Sequence, residues 1–349
     1  MLESDLGPIV VSFEGTSLNE SISRRLCNPA VCGVILFTRN FEDMDQLVLL
    51  VKEIKSLRFP QLLVTVDHEG GRVQRFKTKG WTLIPSARDV GELYDANPEE
   101  ALLLATDLGI IVGYELGKVG VDLTYSPVLD LDYHVNDVIG DRAFHRDPDV
   151  VTALAGSFID GVSASGVRCV GKHYPTHGYV HEDSHFVQPV DHRELKELEE
   201  DLRPYLNLRY RLSGVMTCWV SFPKVDHWPS CLSSVWIDYL RRDIDFRQCI
   251  ISDDLFMQGG EVVEDVRDRL YRAISAGCDI VCVCDVLKDT PSIDSFLESI
   301  DISNFPDCQR QVDSLRANDV DLAKVEPRYR AAKVHLSEFV NARLLPSLS

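Results

Sequence analysis

The sequence predicts an α/β protein that forms one (β/α)8 barrel of the TIM type, and three observations lead to this fold class. Eight short apolar runs alternate with longer amphipathic stretches along the 349 residues. The runs are almost continuously apolar, which is typical of parallel strands buried on both faces. The chain also lacks a G-x-G-x-x-G motif and a P-loop, which disfavours an open nucleotide-binding sheet. A closed barrel therefore accounts best for the alternation.

The eight candidate strands are rich in Val, Ile, Leu and Cys, residues that suit buried strands. In chain order they cover residues 9–13, 32–38, 61–67, 121–127, 168–172, 213–217, 249–253 and 279–284. Between most of them, apolar residues recur at helical spacing. These helix candidates cover residues 43–57, 98–118, 149–166, 193–212, 233–244 and 261–277.

Local sequence signals support the helix assignments, and the rest of the chain is consistent with one domain. Asn97-Pro98 followed by two glutamates is a typical helix start, and Gly277 is a typical helix stop. The tail, residues 316–342, is predicted to form a closing helix. We found no low-complexity linker or internal repeat, so residues 1–349 are expected to form a single catalytic barrel domain.

Composition limits the possible partners. The net charge of −19 argues against nucleic-acid binding, which needs a concentrated basic surface. No apolar run reaches the roughly 18 residues needed to span a bilayer, and the N-terminus has no secretory signal pattern. The ten cysteines include no C-x-x-C pair, and several lie in apolar runs. We therefore expect a reduced cytoplasmic protein, a monomer without a membrane partner.

Polar residues follow four of the predicted strands. Asp67 ends the third strand, Lys172 and His173 end the fifth, and Asp253 ends the seventh. Arg142 lies in a polar segment that follows the fourth strand. Because the site of such a barrel lies at the carboxyl ends of its strands, these residues predict a pocket for a polar ligand.

The segment KHYPTHGYVHEDSH (172–185) carries four histidines at intervals of four, a spacing that on a helix would suggest metal ligands. Pro175 and Gly178 interrupt any such helix, so the spacing is not helical geometry. The motif H-E-x-x-H is absent, and Lys172 would repel a cation. A long loop after the fifth strand is the better interpretation, and a metal site is disfavoured.

Asp183 and His185 in that loop form a candidate acid–base pair. A carboxylate near an imidazole stabilises its protonated form and orients the ring, so the pair can protonate a leaving group and later deprotonate water. Asp253 offers the complementary nucleophile. A surface Asp–His pair and a structural carboxylate are the non-catalytic alternatives.

Seven segments carry a resemblance to a known family. They read ILFTRNF (35–41), VDHEGGRVQRF (66–76), SPVLD (126–130), IGDRAFHRDP (139–148), GKHYPTHG (171–178), EDSH (182–185) and ISDDLFM (251–257). In this order they resemble glycoside hydrolase family 3, in its β-N-acetylglucosaminidase branch of the NagZ type. The resemblance runs from about residue 7 to residue 285 and so covers most of the chain.

The resemblance implies a retaining glycosidase that needs no metal or organic cofactor. The nucleophile of the family maps onto Asp253, and its acid–base dyad maps onto Asp183 and His185. The expected substrate is a small carbohydrate: terminal N-acetylglucosamine on anhydromuramyl cell-wall fragments, hydrolysed in the cytoplasm during cell-wall recycling. Asp254 is expected to be structural, and His177 and His181 have no assigned catalytic role. The sugar-binding positions of the family map onto Asp67, Arg142, Lys172 and His173.

Three residues depart from the usual motifs of the family, namely Thr176 for Gly, Trp219 for His and Phe256 for Ser. They leave open a sugar-binding protein without turnover. Two further alternatives are phosphorolysis, because an imidazole repels phosphate less than a carboxylate does, and a metal-dependent hydrolysis through the histidines.

Overall fold

The apolar runs of the sequence form the strands of a closed parallel barrel, arranged around it in chain order. A computed structural model of the chain describes residues 6–135, 138–184, 187–257, 262–284, 292–301, 303, 305 and 307–344. The strands are β1 (Ile9–Val11), β2 (Val31–Leu36), β3 (Leu63–Val66), β4 (Leu123–Thr124), β5 (Arg168–Tyr174), β6 (Gly214–Thr217), β7 (Cys249–Asp254) and β8 (Ile280–Val283). The pairing of β1 with both β2 and β8 closes the ring.

Alternation along the strands divides the core into two layers. In β8, Ile280 and Cys282 belong to the cluster that fills the barrel, whereas Val281 and Val283 pack with the surrounding helices. The same alternation places Val10 of β1 inside the barrel. Because every strand is covered on both faces, almost all of its residues are apolar, which explains the runs in the sequence.

Eleven α-helices within the described residues surround the barrel. They are α1 (Glu20–Leu26), α2 (Met44–Ser56), α3 (Ala87–Ala96), α4 (Pro98–Val119), α5 (Pro148–Ser163), α6 (Glu199–Leu208), α7 (Ser234–Arg242), α8 (Val266–Ala276), α9 (Ile293–Ser299), α10 (Gln309–Leu315) and α11 (Leu322–Leu344). None of the helices in the described ranges is long and apolar enough to cross a membrane.

Helices α4 and α5 approach each other closely through glycines. A Cβ atom on Gly109 would lie 2.2 Å from the carbonyl oxygen of Phe158, and one on Gly161 would lie 2.1 Å from that of Thr106. Any side chain at these positions would force the helices apart. The C-terminal helix α11 lies against α4. The rings of Tyr114 and Tyr329 stack there, with their centroids 4.2 Å apart.

The predicted fold class is confirmed, and the differences concern boundaries and short helices. All eight strands form, and α4 begins at Pro98 as expected. The predicted helix at 193–212 is wrong in extent: a 3-10 turn (Leu195–Leu198) precedes α6, which ends at Leu208. Helices α1, α3, α9 and α10 were missed because seven to ten residues give too few turns for a periodic signal.

Candidate active site

A cavity of about 670 Å³ opens at the carboxyl ends of the barrel strands. The barrel brings together six of the seven residues predicted from the sequence, whereas His185 lies outside the described residues. The six that line the cavity are Asp67, Arg142, Lys172, His173, Asp183 and Asp253.

Glu69 organises the cations of the cavity wall. Glu69 lies after β3 in a short hairpin strand (His68–Gly70), and it lines the cavity. The carboxylate accepts two hydrogen bonds from the Arg142 guanidinium, both 2.8 Å long, and lies 2.6 Å from Lys172 Nζ. Asp67 Oδ1 lies 2.6 Å from the same Nζ, and Arg75 reaches Asp67 Oδ2 at 3.2 Å. The result is a compact network of two carboxylates and three cations.

Lys172 is buried and its partners in the network are half-buried, and the charges of the network stabilise one another. Burial alone raises the pKa of Glu69, but Arg142 and Lys172 offset this and hold it well below its usual value. Burial likewise raises the pKa of Asp67, and Lys172 with Arg75 brings it below its usual value. Lys172 is 3% exposed and its pKa is raised, because the two carboxylates outweigh its burial. All of these groups are therefore charged near neutral pH.

Asp130 orients the ring of His173. The side-chain Nδ1 of His173 lies 2.6 Å from Asp130 Oδ2, and its Nε2 lies 3.2 Å from Arg142 Nη2. A guanidinium only donates hydrogen bonds, so Nε2 accepts and the ring proton lies on Nδ1, where it is donated to Asp130. The peptide bond between Lys172 and His173 is cis.

Asp253 lies near the end of β7 and lines the same cavity. Its Oδ1 accepts the backbone N–H of Asp254 at 2.9 Å. Within the described part of the chain, no group donates a hydrogen bond to its Oδ2. The carbonyl oxygen of Asp253 accepts the hydroxyl of Ser252 at 2.8 Å, and Ser252 is fully buried. One carboxylate oxygen is thus fixed while the other faces the cavity, a suitable arrangement for a nucleophile.

Asp254 and Trp219 hold the turn that follows Asp253. Asp254 Oδ1 accepts the backbone N–H groups of Cys284 and Phe256, at 2.9 and 3.1 Å. The indole N–H of Trp219 donates to the carbonyl oxygen of Asp254 at 2.8 Å. Phe256 is buried, and its ring packs against that of Phe296, with the two ring centroids 5.6 Å apart. Two of the residues that depart from the family motifs therefore belong to the support of this turn.

Thr176, the third departure, fits its position without a left-handed backbone. It is not among the described residues with positive φ, so a glycine is not required there. Its hydroxyl oxygen accepts the backbone N–H of Gly178 at 3.2 Å. The hydroxyl also lies close to the buried carboxylate of Asp201.

Sequence reasoning missed Glu69, Arg75 and Asp130. Glu69 and Arg75 lie in the segment VDHEGGRVQRF, which was recognised, but only Asp67 was singled out there. A signal was present, since charged residues directly after a buried strand rarely lack a partner. Within the described ranges, no three His, Cys, Asp or Glu side chains converge as metal ligands.

Comparison with known proteins places the chain in a family. Residues 2–314 match the model of the glycosyl hydrolase family 3 N terminal domain. The chain belongs to glycosyl hydrolase family 3. It is similar to a "Beta-hexosaminidase" of Aromatoleum aromaticum, with 45% identity over 338 residues that cover 94% of this chain and 93% of the relative. A "Beta-hexosaminidase" of Thioalkalivibrio sulfidiphilus is 48% identical over 282 residues, covering 80% of this chain and 81% of the relative.

Solved structures show the same fold. NagZ from Neisseria gonorrhoeae, in complex with N-trifluoroacetyl-D-glucosamine, matches with a TM-score of 0.88 and 37% identity, covering 96% of this chain and 98% of that one. As a family 3 member with relatives of this kind, the chain is a glycoside hydrolase of the β-hexosaminidase type. The resemblance seen in the sequence is confirmed.

Proposed function

We propose that the chain is a retaining exo-β-N-acetylglucosaminidase that releases terminal β-linked N-acetylglucosamine from anhydromuramyl cell-wall fragments. The observation that carries the proposal is the placement of Asp253. One of its carboxylate oxygens is held by a backbone N–H, and the residue lines the same cavity as the charged polar network. A glycosidase that forms a covalent intermediate needs such a carboxylate beneath the anomeric carbon.

The network around Lys172 is suited to sugar hydroxyls. Lys172 and Arg142 contribute donors, Asp67 contributes acceptors, and His173 lines the same cavity beside Arg142. Because these groups are already paired with one another, they are ordered before the ligand binds, and little additional entropy is lost. We assign the terminal sugar to this wall.

Asp183 lines the same cavity, and we assign it the role of orienting His185. In the first step Asp253 attacks the anomeric carbon while His185 protonates the glycosidic oxygen, and the leaving group departs. In the second step neutral His185 takes a proton from water, the water attacks the anomeric carbon, and Asp253 is released. The configuration at the anomeric carbon is inverted twice and therefore retained.

The first test is hydrolysis of p-nitrophenyl β-N-acetylglucosaminide by Asp253→Ala. We expect kcat/KM to fall on the order of 10³-fold or more, because a covalent catalyst is removed. Asp254→Asn is the matched control. The amide oxygen of the new side chain can still accept the backbone N–H of Cys284, so we expect kcat/KM to fall far less than in Asp253→Ala. Normal turnover by Asp253→Ala would contradict the proposed nucleophile.

Peptide mapping provides a second test that does not depend on rates. A 2-deoxy-2-fluoro glycoside slows the second step, so the covalent intermediate accumulates. The label is expected on the peptide that contains Asp253, and a label on any other residue would exclude the assignment. Release of N-acetylglucosamine from a purified anhydromuramyl disaccharide would test the substrate class.

We also propose that the enzyme acts in the cytoplasm, in cell-wall recycling. All ten cysteines are free thiols, and nine of them are buried. Free thiols in this number are typical of a reducing compartment. Fractionation of cells followed by an activity assay would test this location.

A further inference from the structure

His177 is a buried histidine that the proposed chemistry does not use. It lies three residues after the end of β5 and is 2% exposed. Its backbone N–H donates to Asp130 Oδ1 at 2.7 Å, and the other oxygen of Asp130 accepts from His173. His177 is therefore fixed to the same carboxylate that orients a residue of the sugar-binding wall.

The ring of His177 contacts the far end of the loop. Its Nε2 lies 3.3 Å from the hydroxyl oxygen of Ser184, which is itself 3% exposed. Ser184 directly follows Asp183, and all three residues line the cavity. The contact joins two positions seven residues apart, so it crosses the loop from its start at the barrel to the segment that carries the dyad carboxylate.

The ring is uncharged under working conditions. Burial lowers the pKa of His177 to about 4. A neutral imidazole has one donor and one acceptor nitrogen, and a serine hydroxyl can complement either. The contact with Ser184 is therefore compatible with both tautomers and does not change with pH near neutrality.

The base of the loop is fastened separately, by Arg193. Its guanidinium lies 4.1 Å from the centroid of the Tyr179 ring and 2.7 Å from Asp191 Oδ2, and so it joins both ends of the loop. It also reaches Asp201 at 2.9 Å. With the base held in this way, the placement of Asp183 over the cavity depends on contacts farther along the loop, and the His177–Ser184 contact is one of these.

We propose that His177 is a positioning residue whose ring holds Ser184, and with it Asp183, at the cavity so that the acid–base dyad is placed for proton transfer. The proposal rests on the proposed function, in which Asp183 serves that dyad. His177 acts through Ser184 and needs no contact with substrate. Loss of the contact should therefore impair proton transfer selectively, and the attack by Asp253 should be unaffected.

Leaving groups of different acidity separate these two effects. A 2,4-dinitrophenyl leaving group departs without protonation, whereas an alkyl leaving group requires it. The value of kcat/KM reports the steps up to formation of the glycosyl-enzyme. We expect His177→Leu to lower kcat/KM roughly tenfold for a methyl β-N-acetylglucosaminide, the scale of one lost hydrogen bond, and less than about twofold for the dinitrophenyl glycoside. His177→Gln, whose amide can reach Ser184, should recover most of the loss.

A double-mutant cycle tests whether the effect passes through Ser184. Ser184→Ala should reproduce the leaving-group dependence, and the double variant His177→Leu/Ser184→Ala should be no worse than either single variant. His192→Leu is the matched control, because this exposed histidine follows the loop and lies away from the cavity. It should behave as wild type with both substrates.

Equal losses with both leaving groups, unchanged activity, or additive effects of the two substitutions would each overturn the role of His177. If His177→Leu fails to fold, Ser184→Ala alone decides between these outcomes. Asp253→Ala, measured alongside, must abolish turnover of both glycosides. Should it remain active, the proposed function fails, which is distinct from failure of the positioning role.

Discussion

Glu69 is the residue on which the charge balance of the cavity depends. It contacts both Arg142 and Lys172, whereas the second carboxylate, Asp67, contacts Lys172 and Arg75. Removing one member of a buried ionic network costs more than the pair contributes, because the remaining charges are left without compensation. Glu69 therefore supports the geometry of the proposed sugar-binding wall through its contacts with Arg142 and Lys172.

The substitution Glu69→Gln tests this balance. The amide keeps the shape but leaves Arg142 without its bidentate partner, so we expect the free energy of unfolding to fall by about 3 kcal/mol. The Kd for N-acetylglucosamine should rise on the order of tenfold, because Arg142 loses its fixed position. Urea unfolding and calorimetric titration measure the two quantities. Wild-type values for both would show that Glu69 is not needed for the network.

The pH dependence of this variant has a definite sign. The pKa of Glu69 is lowered in the folded protein, so its contribution to stability is complete above its unfolded value of about 4.3 and is lost as the pH falls below it. The difference in unfolding free energy between wild type and Glu69→Gln should therefore stay constant from neutral pH down to about pH 5, and shrink only as the pH falls below about 4. A difference that grows on acidification would contradict the assignment.

The rim positions of several site residues could be inferred from the sequence, but their partners could not. Asp67, Lys172 and Asp253 stand at the ends of apolar runs, and the barrel rule places them on one rim. The pairing of Arg142 with Glu69 joins residues 73 apart in the chain. It depends on how the loops after β3 and β4 pack, and no local pattern encodes that.

Side chains from two other elements support the turn after β7. Trp219 donates to the carbonyl oxygen of Asp254, and the buried Arg269 donates to those of Leu255 and Met257 at 2.8 and 3.0 Å. The guanidinium of Arg269 also lies 5.8 Å from the Trp219 ring centroid. Two side chains from different elements thus fix three carbonyl groups next to the proposed nucleophile.

The substitution Trp219→Phe removes the indole N–H and keeps most of the apolar volume. We expect kcat to fall roughly tenfold with little change in KM, because one hydrogen bond that positions the turn is lost while the sugar-binding wall is intact. Steady-state kinetics with an aryl glycoside measure both constants. A change confined to KM would place Trp219 in substrate binding instead.

Trp236→Phe is the matched control for this experiment. Trp236 is also fully buried, but within the described residues its indole N–H has no hydrogen-bond partner. The two substitutions remove similar volumes, so the difference between them isolates the hydrogen bond. Trp236→Phe should leave both kcat and KM near wild type.

The departures from the family motifs illustrate what sequence patterns cannot resolve at the level of elements. Thr176, Trp219 and Phe256 are visible in the sequence, but their consequences depend on contacts across the barrel. Trp219, just after β6, donates a hydrogen bond to Asp254 at the end of β7, and Thr176 lies close to Asp201 in α6. Trp219 and Thr176 form hydrogen bonds, and Phe256 packs against Phe296. The departures are therefore compatible with an intact active site.

For the whole molecule, the alternation of strands and helices was sufficient to predict the barrel. Each β-α unit buries its own apolar strand, and closure follows because eight such strands leave no edge. The packing of the last helix was less predictable: α11 contains Pro327 and has no strongly apolar face in its sequence. Its attachment uses polar contacts, among them the hydroxyl of Tyr329, which donates to Glu115 at 2.8 Å.

His335 joins α11 to two carboxylates of α4. Its Nδ1 lies 2.7 Å from Asp107 and its Nε2 lies 2.6 Å from Glu100, both in α4. Two carboxylates can be satisfied only if both ring nitrogens donate, which requires the protonated ring. Burial lowers the pKa of His335, but the hydrogen bonds to Asp107 and Glu100 raise it above its usual value.

A group with a raised pKa stabilises the fold below its unfolded pKa, about 6.5 for histidine, and loses that contribution as the pH rises through the folded value. We therefore expect His335→Leu to cost roughly 1–2 kcal/mol of unfolding free energy at pH 5.5, and progressively less at higher pH. Urea unfolding of wild type and variant between pH 5.5 and pH 9 measures the difference, with His192→Leu as the control. A difference that stays constant over this range would show that His335 contributes by packing and that the attachment of α11 does not respond to its protonation.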